Sequence, residues 1–209
     1  MLAQVQTVFA LPIYFDVVAT FFFAVTGAMV AIRRNYDIVG IVAVALISAI
    51  GGSVIRDGIF LQQGPPLVVQ DVRYLYAILA GVIVGLLVRD NFERFGRLVA
   101  LIDAWGLGAY AVYGTQKAIV IGLDPIVAVL VGTVNSVGGG LLRDIIMREE
   151  PLVFKPGQFY VLAAVGGAVG FIICVYQFGM RPMWAGFMGI FLTYVIRYVS
   201  IVLKWQTRS

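Results

Sequence analysis

Residues 51–57 read Gly51-Gly52-Ser53-Val54-Ile55-Arg56-Asp57, and residues 138–144 read Gly138-Gly139-Gly140-Leu141-Leu142-Arg143-Asp144. The two stretches lie 87 residues apart, and the same offset lays Asp16 on Asp103, Gly27 on Gly114 and Asp37 on Asp124. Charges and glycines that recur at one fixed spacing mark an internal repeat. Each stretch sits in an apolar run long enough to cross about 30 Å of hydrocarbon, which takes roughly 20 helical residues. Seven such runs are bounded by charge, proline or glycine: 11–32, 38–61, 72–88, 98–119, 125–147, 158–176 and 184–204. The first repeat then occupies 11–88, the second 98–176, and the seventh run, 184–204, stands outside both. Three spans is an odd number, so the second copy enters the membrane with opposite polarity. Such inverted repeats share a pseudo-two-fold axis in the membrane plane, with the working site near their interface. The expected architecture is an all-α integral membrane protein of seven transmembrane helices, a single membrane domain over residues 1–209.

Composition agrees with that solvent. Of the 209 residues 61% are apolar and 12% charged, with a mean hydropathy of +0.98, whereas soluble domains carry about twice that charge. A disordered chain, a disulfide-stapled domain and a soluble enzyme are all excluded on this ground. One cysteine, Cys174, forbids an internal disulfide, and the absence of histidine removes the commonest zinc ligand and general base. An intramembrane enzyme needs a nucleophile with a base, or a metal cluster, and neither is legible; no cofactor is expected. The net charge of +4 is spread between apolar runs and fits membrane orientation better than nucleic acid. Arg33, Arg34, Arg89, Arg94, Arg97, Arg148, Lys155, Lys204 and Arg208 fall on one side, against Arg73, Lys117 and Arg181 on the other. Basic loops favour the cytoplasm, which predicts an outer N-terminus and a cytoplasmic C-terminus. The first run lacks a basic leader and a small-residue cleavage site, so it reads as a retained span. Tyr14, Trp184 and Trp205 suit interfacial anchoring.

Within the spans the glycines and charges are the informative residues. Gly51 and Gly52 in the second span, and Gly138, Gly139 and Gly140 in the fifth, predict a kink or break, since each glycine costs about 1 kcal/mol relative to alanine in a helix. With Ser48, Thr133, Asn135 and Ser136 beside them, a hydrated path is the favoured reading, and close helix packing the alternative. An ionisable group in a span needs a partner or water. Adjacent residues point apart on a helix, so Arg56 and Asp57 are not natural partners, nor are Arg143 and Asp144. Depth suggests Asp16 with Arg56 near one mouth and Asp103 with Arg143 near the other, as helix clamps or as part of a path and gate. Lys117, whose counterpart is Val30, is expected to snorkel to the interface, or to gate if it faces inward. Arg197 is expected to reach the cytoplasmic interface or an oligomer contact. Tyr110 and Tyr113 are candidates for path lining, with aromatic packing the plainer role.

With its doubled Gly-Gly…Arg-Asp motif and its seventh helix, the chain resembles the prokaryotic members of the trimeric intracellular cation (TRIC) channel family, also known as uncharacterised membrane proteins with a glycine-transporter-type domain. The resemblance spans residues 16–204. It implies a homotrimer in a bacterial or archaeal plasma membrane, each protomer holding its own pore for monovalent cations, chiefly potassium, bordered by the glycine-kinked helices that here carry Gly51, Gly52, Gly138, Gly139 and Gly140. Membrane lipid and cations are the expected partners, and nucleic acid is not. The residues leave a second function open, secondary transport of a small zwitterion such as glycine, which inverted repeats and paired charges would serve equally well.

Overall fold

The computed structural model describes residues 10–88, 96–155 and 159–203, with the backbone alone for 96–99. Arg89, Arg94, Lys204, Trp205 and Arg208, and the side chain of Arg97, lie outside the described residues. Among the described residues there are seven long helices: α1 Tyr14–Arg33, α2 Ile38–Ile55, α3 Val72–Leu87, α4 Gly96–Val120, α5 Pro125–Ile146, α6 Tyr160–Tyr176 and α7 Pro182–Val202. A π-helix, Arg56–Leu61, extends α2, and a single turn, Leu67–Gln70, precedes α3. The protein is an all-α membrane protein. Four segments, Tyr14–Arg33, Ile38–Leu61, Pro125–Ile146 and Pro182–Val202, are long and apolar enough to cross a membrane. Helices α3 and α6 have 16 and 17 residues, about 24–26 Å at 1.5 Å per residue.

The helix starts explain part of the repeat. Asp37 accepts a hydrogen bond from the Gly40 amide at 2.8 Å, and Asp124 one from the Ile126 amide at 2.8 Å. Both aspartates thus fill the N-cap role, using a side-chain oxygen for an amide that the first helical turn leaves unpaired. Ahead of them the chain turns through left-handed residues, Asn35 at φ 56° and Gly122 at φ 93°, a conformation that glycine and asparagine tolerate. These two positions are also 87 apart.

Helix α1 packs on α2, α3 and α4, and α5 packs on α2, α4 and α6, while α7 lies against α4 and α6. Helices α1 and α4 begin at opposite ends of the bundle, because Asp16 lies near the start of α1 beside the end of α2, and Asp103 near the start of α4 beside the end of α5. We call these the Asp16 end and the Asp103 end.

The glycines lie where two helices touch. Both α2 and α5 continue as α-helix through Gly51, Gly52 and Gly138–Gly140. A Cβ on Gly52 would stand 1.9 Å from the Asn135 carbonyl oxygen, and one on Gly139 would stand 2.1 Å from that of Ser48. Gly27 meets Ser48 and Ala45 as Gly114 meets Asn135 and Gly132, so the same contacts recur at the same offset. Close approach of backbones is what small residues contribute where helices have no hydrophobic effect to join them. The irregular backbone comes one turn later, in the π-helix at Arg56, a form that accumulates at functional sites.

Candidate functional site

At the centre of the bundle Phe23 and Tyr110, themselves 87 residues apart, stack with ring centroids 5.2 Å apart. The Tyr110 hydroxyl shares a 2.8 Å hydrogen bond with Thr20 and donates to the Ala49 carbonyl. Asn135 donates to the Tyr110 carbonyl at 2.7 Å, and Ser136 to that of Thr133 at 2.7 Å. Ser48, Asn135 and Ser136 are fully buried in this layer. The Ser48 and Thr133 hydroxyls make no hydrogen bond among the described residues. Helices α1, α2, α4 and α5 therefore meet in a buried polar layer, with a charged cluster on either side.

The Asp16 end carries the tighter cluster. Arg56, fully buried, donates to both oxygens of Asp16 at 2.9 and 3.1 Å, and Tyr74 donates to Asp16 at 2.7 Å. Arg56 also reaches its own neighbour, with Nε 2.7 Å from Asp57 Oδ1 and Nη2 3.0 Å from Asp57 Oδ2. This corrects the expectation that adjacent residues would not pair. The π-helix alters the local register, and a buried guanidinium uses as many of its five donors as the site allows. Its plane lies 5.5 Å from the Tyr113 ring centre, and Nη1 is 3.5 Å from Asn135 Oδ1. Lys117 does not snorkel outward: its ammonium is 2.9 Å from Asp57. Asp57 accepts in addition from the Leu67 amide at 3.2 Å, which ties the loop after α2 to the cluster. Asp57 and Lys117 line a cavity of about 290 Å³ under this loop.

The Asp103 end repeats the plan with looser contacts. Arg143 donates from Nε to Asp144 at 2.8 Å and from Nη1 to Thr26 at 3.3 Å, so here too the adjacent residues pair, the long side chain curling back to its neighbour. Asp144 accepts from the Leu152 amide at 3.2 Å, as Asp57 does from Leu67. Asp103 stands 3.7 Å from Arg143, an ion pair without a hydrogen bond. Arg197 of α7 is fully buried, against the expectation of an interfacial or oligomer contact, and its guanidinium lies 4.8 Å from the Tyr160 ring centre. The apolar packing of α7 on α4 and α6 carries it inward. Asp103, Arg143, Asp144 and Arg197 line a cavity of about 310 Å³, and Val30 occupies the side on which symmetry would place a lysine.

Sequence reasoning missed Thr20, Phe23, Thr26, Tyr74 and Tyr160. Tyr74 and Tyr160 carried a signal, since each lies near the start of the third helix of its repeat. Beyond the spanning segments, Asp71 accepts from the Arg73 side chain and amide, and these bonds hold its carboxyl below the usual range. Tyr14 and Trp184 are exposed at the Asp16 end, where Arg73 lies over the Tyr14 ring at 5.6 Å. Among the described residues no cluster of metal-ligating side chains forms.

A helical membrane bundle built from twin units, with a charged cavity at each end, is the class of protein this geometry defines. The family model described as glycine transporter matches twice, at residues 13–90 and 100–176. The chain belongs to that family, which includes the UPF0126 membrane proteins and the prokaryotic TRIC channels. A UPF0126 membrane protein of Deinococcus radiodurans is 34% identical over 188 residues, 90% of this chain and 86% of the relative. The inner membrane protein YadS of Escherichia coli K12 is 30% identical over 196 residues, 93% of each chain. The solved TRIC trimeric intracellular cation channel orthologue from Rhodobacter sphaeroides superposes with a TM-score of 0.80 at 30% identity, covering 92% of this chain and 98% of that one. The chain is not an enzyme; its solved structural neighbours are channels.

Proposed function

We propose that the protein is a channel for monovalent cations, chiefly potassium, acting as a homotrimer in the plasma membrane of a prokaryote. The path runs inside each protomer between two inverted three-helix repeats, bordered by α2 and α5, with the Asp103 end in the cytoplasm. The observation that carries this reading is the pair of cavities at opposite ends of the bundle, one lined by buried Asp57 and the other by buried Asp103 and Asp144. Buried charge at membrane depth is costly, and it is retained in proteins where an ion path needs it. The fold shared with the Rhodobacter channel supports the same conclusion. The Phe23–Tyr110 layer closes the path, and conduction requires α2 and α5 to separate there. The sequence holds no TVGYG-like filter, so discrimination between potassium and sodium is modest. Purified protein in planar bilayers under a potassium gradient should give unitary currents reversing near the potassium potential. Saturable glycine counterflow in liposomes without such currents would overturn the channel in favour of a transporter.

A further inference from the structure

The two ends use the same chemistry and satisfy it differently. At the Asp16 end every carboxylate oxygen has a donor: Arg56 and Tyr74 fill Asp16, and Arg56, Lys117 and the Leu67 amide fill Asp57. At the Asp103 end Arg143 spends its donors on Asp144 and Thr26. Asp103 is 4% exposed, yet among the described residues both of its oxygens lack a hydrogen-bond partner, as does the Tyr160 hydroxyl, 3% exposed and next to it. Asp103 lies on the wall of the cavity, beside Arg33, Arg143, Lys155 and Arg197, and Tyr160 packs behind it. A buried carboxylate without hydrogen-bond donors is among the least favourable groups a protein holds, and a cation that takes oxygen ligands would satisfy it. Arg143 at 3.7 Å supplies balancing charge without a hydrogen bond, and the Arg197 guanidinium lies over the Tyr160 ring.

We propose that Asp103 and Tyr160 form a binding station for a partly dehydrated monovalent cation at the Asp103 end, and that the Asp16 end has none because Arg56 and Tyr74 occupy the corresponding oxygens. Hard monovalent cations take oxygen ligands, and one carboxylate with one phenol gives a weak site, as a permeating ion needs if it is to leave again. The station rests on the channel reading for its role in flux, and its binding is measurable apart from it. Arg143 and Arg197 keep the occupied cluster from accumulating negative charge and hold the affinity low.

The test uses the full chain. In detergent, potassium chloride should raise the melting temperature by about 3 °C over N-methylglucamine chloride of equal ionic strength. D103N should abolish that difference, Y160F should reduce it, and Tyr76→Phe, on an exposed ring, should leave it intact. In bilayers, the potassium activity at the Asp103 side that half-saturates conductance should rise about tenfold in D103N, with little change for potassium added at the other side. If D103N does not fold, the Y160F result and the wild-type salt difference decide the matter. Equal melting in both salts, or a D103N protein that keeps the wild-type difference, overturns the station. Currents that saturate identically in wild type and D103N leave the channel and remove the station. A potassium-dependent melting shift without any current leaves the station and removes the channel.

Discussion

A single missing methyl group decides whether α2 and α5 can meet. Gly52→Ala places a Cβ 1.9 Å from the Asn135 carbonyl oxygen, where only backbone movement can relieve the clash, and should cost about 2 kcal/mol or more. Gly58→Ala, with nothing within 4 Å of the new Cβ, should stay within about 0.5 kcal/mol of wild type. Thermal unfolding of the two proteins in one detergent checks the contrast, and equal losses would contradict the crossing. The charged pairs should separate likewise. Asp16→Asn removes the partner of a buried, bidentate Arg56 and should cost about 3 kcal/mol, whereas Asp103→Asn removes only a 3.7 Å ion pair with Arg143 that has no hydrogen bond and should cost measurably less. At this scale the sequence was readable in kind: doubled glycines and charges announced a shared site. It left open whether the glycines permit contact or bend the helix, because composition at a helix crossing is the same for both. Nor did it say that Arg56 would bond Asp57, which depends on a long buried side chain curling back to its neighbour, as Arg143 does to Asp144.

The elements around each mouth are latched by one carboxylate. Asp57 joins the end of α2 to the Leu67 amide, and Asp144 joins the end of α5 to the Leu152 amide. Leu67 begins a single helical turn, and Pro66 before it has ψ 141°, which suits a following proline. Leu67→Pro therefore removes the amide donor with little backbone strain. It should cost about 1 kcal/mol and speed hydrogen exchange across residues 62–70 while leaving α2 itself protected; unchanged exchange in that loop would show that the latch is idle. Span positions were legible because the apolar runs are long: the expected 38–61 is the observed α2 with its π extension, and 125–147 overshoots α5 by one residue. The direction faced by α7 was not legible. Its apolar residues run round the whole helix, and only packing on α4 and α6 turns Arg197 inward.

For the molecule as a whole, the proposed inversion makes a topological prediction. In a Cys174→Ala background, Gln63→Cys at the Asp16 end should react with a membrane-impermeant thiol reagent on intact cells. Glu150→Cys at the Asp103 end should react only after permeabilisation. Both positions are exposed, so labelling of the two from the same side would refute the orientation. The arrangement of spans was legible because 87 residues separate one charge pattern from its copy, whereas the inequality of the two ends arose from residues without counterparts, Lys117 and Arg197. The stacked pair Phe23 and Tyr110 adds a historical consequence. Counterpart positions that touch one another lie on the axis relating the two units, and in an ancestor made of two separate identical chains that position would have met its own copy. Any change there would have been made twice at once. Once the two units are encoded separately the two rings are free to differ, and the phenol oxygen on one of them, bonded to Thr20 and Ala49, is a difference that a pair of identical chains could not hold.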